Sequence, residues 1–168
     1  MKKTALYLFL FCLLCALPAC KIYSFTGASI APDIKTVQVD LFENKANAGP
    51  AYLNQNFTTK LRLKMVTEAN LKQVSSGGDL KYSGYISSYS VTSQAPTAQN
   101  LSGVNRLRIT VHLVFENTKN ETENSESDLE KYADYSGSEN LINIESGLIE
   151  EINKQLVDDV FNKTIAKW

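Results

Sequence analysis

Apolar residues at every second position mark three clear stretches of this chain, and apolar residues about four apart mark two more. Thr36 to Leu41 places Val37, Val39 and Leu41 on one side and reads as a strand. Glu43 to Pro50 follows as a loop. Pro50 suits the opening of a helix, because the first turn has no use for the N–H that proline lacks. Ala51 to Asn70 carries Leu53, Phe57, Leu61 and Met65 four apart, the stripe of an amphipathic helix. Lys60 and Lys64 share a different face and read as a solvated surface whose like charges mildly oppose each other.

Leu71 to Val74 begins a second strand that Ser75-Ser76-Gly77-Gly78 interrupts. Asp79 to Thr92 is predicted as a strand with Leu80, Tyr82 and Ile86 on one side and Tyr85, Tyr89 and Val91 on the other. Gly84 in its middle signals a bulge or a close backbone approach. Ser93 to Asn105 is a polar loop around Pro96. Arg106 to Asn117 has the clearest alternation: Leu107, Ile109, Val111, Leu113 and Phe115 against Arg106, Arg108, Thr110, His112, Val114 and Glu116. An acidic, asparagine-rich turn from Thr118 to Ser125 leads to Asp128–Tyr135, which alternates through Leu129, Ala133 and Tyr135, so the two strands form a hairpin. Ser138 or Asn140 caps a last helix with the stripe Leu141, Ile144, Leu148, Ile152, Leu156, Val160 and Ile165, widened by Ile149, Phe161 and Trp168. Gly147 inside it costs about 1 kcal/mol relative to alanine and invites close packing. Strand, helix, three strands, helix is the order of an α+β two-layer sandwich, two helices packed on one face of a mixed four-stranded sheet.

The N-terminus follows another pattern. Lys2 and Lys3 precede an apolar run from Ala5 to Ala16, too short to span a bilayer, and Leu17-Pro18-Ala19-Cys20 closes it. Small residue then cysteine resembles a bacterial lipobox. In that chemistry the Cys20 thiol takes a diacylglycerol, the chain is cut before it, and the new N-terminus is acylated; the alternative is a plain secretory signal with a chance cysteine. The division is residues 1–19 as a cleaved signal, 20–33 as a lipidated tether, and 34–168 as one domain. Removing 19 of 168 residues leaves 149, enough for a real core. The whole chain carries a formal charge of −1, and losing Lys2 and Lys3 takes this to about −3, which argues against nucleic acid as a partner. Cys12 and Cys15 leave with the signal, so with Cys20 lipidated no disulfide within the chain is expected.

Catalytic chemistry is sparse. His112 is the one histidine and has no cysteine or second histidine for zinc, nor a G-x-S-x-G elbow beside it. No catalytic residue and no metal site is expected. Glu121, Glu123, Glu126, Asp128 and Glu130 read as solvated charge around a hairpin tip. Glu150-Glu151 and Asp158-Asp159 read as the wet side of the last helix. Arg106 and Arg108 lie two apart on a strand and so share a face. With Lys81 and Lys131, if register allows, and with Tyr85 and Tyr89, they are candidates for gripping an anionic lipid headgroup or a large partner; ordinary solvation is the alternative.

Several segments are similar to one branch of the LptE-type lipopolysaccharide-assembly lipoproteins. They are the run Cys20 to Ile30, Ser76-Gly77-Gly78-Asp79-Leu80, Asn105 to Val111, Tyr132-Ala133-Asp134-Tyr135, Leu148 to Ile152, Val160-Phe161-Asn162-Lys163 and the terminal Trp168. The resemblance implies a non-enzymatic lipoprotein on the periplasmic side of the outer membrane, anchored by acyl chains on Cys20 and holding no other cofactor. It also implies a role as plug and assembly partner of an LptD-type β-barrel, in contact with lipopolysaccharide. Lys21, rather than an aspartate, after Cys20 agrees with outer-membrane placement. A stand-alone periplasmic carrier of lipid or glycan is the competing expectation, and a hydrolase using His112 is a third.

Overall fold

The alternating stretches assemble into a mixed sheet and the two periodic stretches into helices laid across it. The computed structural model describes residues 30–95 and 103–166; the signal, Cys20, most of the tether, Pro96 and Trp168 lie outside the described residues. Strands β1 (Thr36–Val39), β2 (Glu43–Asn44), β3 (Lys72–Gln73), β4 (Leu80–Gln94), β5 (Val104–Asn117) and β6 (Ser125–Ser136) join helices α1 (Leu53–Thr67) and α2 (Leu141–Phe161). The sheet order is β3-β1-β4-β5-β6, with β2 also on β4. β1 runs parallel to β3 and β4, while β4, β5 and β6 are antiparallel. The sheet therefore has six strands among the described residues, not four. The two extra strands are two-residue pieces: β3 falls within Leu71–Val74, where the sequence predicts a strand to begin, but it pairs with β1 as a separate strand, and β2 lies in the stretch read as a loop, too short for alternation to reveal it.

α1 covers the β1–β3 side and α2 covers β5 and β6. Between helices and sheet lie Val37, Phe57, Leu61, Tyr82, Leu107, Ile109, Val111, Leu113, Ile149 and Leu156, all fully buried. Asn140 is the residue that caps α2, its side chain accepting from the Ile142 N–H at 3.1 Å. β1 stops at Val39, and Leu41 is 57% exposed while Phe42 takes the buried place. Two contacts explain the switch. The Phe42 N–H donates to Thr58 Oγ1 at 3.1 Å, and its ring lies where a β-carbon on Gly84 would stand, 2.8 Å away. Gly84 has φ +149°, and an added β-carbon would also come within 2.0 Å of the His112 carbonyl oxygen, so the close approach is real.

The lysines of α1 are not a solvated face. Lys60 pairs with Glu150, and Lys64 meets Asp158 and Glu68, both at 2.8 Å, with its ammonium 5.0 Å from the Phe161 ring centroid. Glu150 and Asp158 thus reach across the α1–α2 seam while staying in part in water. Gly147 packs against nothing: a β-carbon there would meet open space. No helix among the described residues is long and apolar enough to cross a membrane.

Candidate functional site on the open sheet face

With both helices on one face, every second side chain of β4, β5 and β6 is left on the other. On β5 these are Arg106, Arg108, Thr110, His112, Val114 and Glu116, opposite the buried Leu107-to-Phe115 row. Register sets their neighbours. Lys81 of β4 stands across from Glu116 and bonds it at 3.4 Å. On β6 the open-face residues are Glu126, Asp128, Glu130, Tyr132 and Asp134, so four carboxylates line up along β5, Asp134 and Glu130 beside the arginines and Asp128 and Glu126 beside His112.

Three of the four basic candidates therefore share this face and one does not. Lys131 stands across from buried Ile109, points to the helix side, and bonds Asp159 of α2 at 2.7 Å. Parity excludes it from the cluster, and position along the strand excludes Lys81, whose partner Glu116 lies eight residues, about 26 Å, along β5 from Arg108. Tyr89 also departs from expectation. The β4–β5 register shifts between Ile86 and Ser88, which moves later residues to the other face. Tyr89 consequently stands across from Ile109 and donates its hydroxyl to Glu145 of α2, where burial first and that carboxylate second push the phenol up. Tyr85, ahead of the shift, stays on the open face under the Lys45 ammonium at 4.2 Å.

The arginines are engaged unequally. Arg106 donates from Nε and Nη2 to the two Asp134 oxygens at 2.7 and 2.8 Å, and its guanidinium lies 3.7 Å from the Tyr132 ring centroid. That fork holds the Asp134 carboxyl below its usual range and raises Arg106. Arg108 makes one contact, from Nη1 to Glu130 at 3.2 Å, and its Nε has no partner among the described residues. His112 stacks on Tyr85 with centroids 4.7 Å apart, and its two ring nitrogens face Asp128 at 2.8 Å and Glu126 at 2.9 Å. A histidine acting as base for a serine needs one free nitrogen, and carboxylates engage both here. Among the described residues no group of His, Cys, Asp or Glu is arranged to hold a metal ion.

The carboxylate row is what the sequence reading missed. Glu126, Asp128, Glu130, Tyr132 and Asp134 fall two apart, so period-two counting from Glu126 finds them; starting the strand at Asp128 leaves Glu126 outside it. A separate cavity of about 300 Å³ sits at one end of the sandwich, between Ile30 and Ile34 of the lead-in, Leu80, Lys119 and Ile165.

A family model described as LptE, lipopolysaccharide-assembly, matches residues 34–164. The chain belongs to that family. No curated protein matches it. Among solved structures, a hypothetical protein of Chlamydia trachomatis superposes with a TM-score of 0.51 at 9% identity, covering 77% of this chain and 95% of that one. It shares the fold. A minor lipoprotein of Acinetobacter baumannii (TM-score 0.47, 17% identity, 78% of this chain and 95% of that one) and lipoprotein B of Nitrosomonas europaea (0.49, 14%, 76% and 79%) are similar at lower scores.

Proposed function

We propose that this protein acts in lipopolysaccharide transport and assembly at the outer membrane, as the lipoprotein plug and assembly partner of an LptD-type β-barrel. It carries no catalytic residues, and its one prosthetic group is the lipid on Cys20, which anchors the domain on the periplasmic side. The family match across nearly the whole described domain carries this reading. The open face supports it. A wet, ion-paired sheet surface is suited to a water-filled lumen lined with polar side chains. Arg108, holding a single carboxylate contact, is the residue that would meet lipopolysaccharide phosphate, with Arg106 two residues away on the same face, while Lys81 offers a separate cation eight residues along β5 from Arg108.

The test is a pull-down through a C-terminal tag from gently solubilised outer membranes. Recovery of one large barrel in near-equal amount, with loss of surface lipopolysaccharide on depletion, is expected. A lone monomer under conditions that preserve other barrel complexes overturns the plug role. It would turn attention to the end cavity as a lipid or glycan site, although about 300 Å³ lies at the small end of ligand pockets.

A further inference from the structure

β6 is twelve residues long, and among the described residues only its β5 side is paired. An edge strand turns alternate N–H and C=O groups away from the sheet, where they can pair with an added strand. What decides the partner is the side chains that a new strand would lie against.

On the open face of β4, β5 and β6 there are three cations, Lys81, Arg106 and Arg108, against five carboxylates, Glu116, Glu126, Asp128, Glu130 and Asp134. The excess is concentrated at Glu126 and Asp128, which share His112 and whose side chains are each 67% exposed. On the helix face the same edge carries Leu129, half-buried. α2 adds Leu148, also half-buried, on the side that faces β6. Leu148 lies eleven residues, three turns, before Asp159, which Lys131 of β6 holds.

We propose that the outer edge of β6 accepts an extended segment of the partner barrel that lies in its lumen, outside the paired wall strands, and that alternates basic and apolar side chains. This rests on the plug reading. Basic residues would stand beside Glu126 and Asp128, and apolar residues would turn inward beside Leu129 and Leu148. A second copy of this chain does not fit, because two β6 edges side by side set carboxylate against carboxylate.

The experiment is residue-resolved hydrogen exchange on the tagged protein alone and in the complex recovered with its barrel. Alternate β6 amides that exchange fast in the protein alone should slow by about tenfold or more in the complex. Recovery of barrel by Glu126→Lys with Asp128→Lys, shown folded by circular dichroism, should drop by about tenfold at low salt. A complex in which those amides keep their free rates, or in which the charge reversal recovers as much barrel, overturns the edge proposal and leaves the plug reading intact. If the unaltered protein recovers no barrel, both fall. Slowing in the protein alone that grows with its concentration would assign the edge to a second copy, against the proposal.

Discussion

Gly147 sits on the exposed side of α2 with nothing within contact of a β-carbon, so it weakens the helix and packs against no neighbour. Gly147→Ala should raise stability by about 0.5–1 kcal/mol, read as a higher urea midpoint with an unchanged slope. Asp79 has the opposite character. Its carboxylate accepts from the amides of Lys35 and Thr36 at 3.0 Å and from the Thr36 hydroxyl at 2.7 Å, and Lys119 lies 3.2 Å away. The Lys35 amide and the Thr36 hydroxyl lead in holding it well below the ordinary carboxylate range. Because the folded value is depressed, the stability it contributes is complete above an ordinary pKa of about 3.8 and drains away as the pH falls below that. Urea midpoints should therefore fall as the pH drops from about 4 to about 2.5, and Asp79→Asn should flatten that slope while lowering stability at neutral pH. The helix cost of Gly147 was legible in the sequence, but its open surroundings, against the close packing expected, and the role of Asp79 were not. A glycine's open space and a carboxylate's amide partners, forty-odd residues away, exist only once the chain is folded.

At the scale of elements, the α1–α2 seam joins two rows of charge that look solvated when each helix is read alone. Lys60 and Lys64 are one turn apart, Glu150 and Asp158 two turns apart, and the helices bring them together. Burial works against the charge on Lys64, but Asp158 and Glu68 outweigh it and raise the pKa. A double-mutant cycle of Lys64→Ala and Asp158→Ala should give a coupling of about 0.5–1 kcal/mol, lower in high salt. No coupling would mean that Glu68 alone suffices for the lysine. Strand β4 makes a related point. Its residues up to Ile86 were legible from alternation, but the shift before Ser88 reverses the parity, and Tyr89 ends on α2 rather than on the open face. A bulge adds one residue without any distinctive composition, so a period-two reading runs straight through it.

Across the whole molecule, the open face is a surface of paired charge rather than a basic patch, and its two arginines should behave differently. Arg106 is held by a fork to Asp134 and by Tyr132, whereas Arg108 has one carboxylate contact and an unpartnered Nε. In titrations of the solubilised lipoprotein with lipopolysaccharide, Arg108→Ala should weaken binding by about tenfold, the value of one charge-assisted contact, and Arg106→Ala should do less. Equal or absent effects would return both to ordinary solvated surface. The sequence by itself determined the two amphipathic helices, the three long strands, the β5–β6 hairpin and the two-layer α+β class. Each rests on a periodicity that a single element enforces locally. It also placed Arg106 and Arg108 together, because residues two apart on one strand must share a face. The face of Lys131 was also legible, since it shares parity with Leu129, Ala133 and Tyr135. Tertiary structure alone decided that Lys131 meets Asp159 of α2, that Asp134 and Glu130 of β6 stand beside the arginines, and that this acidic strand forms the edge of the sheet. Those outcomes depend on register and strand order, which are set by how distant segments bury their apolar faces against one another.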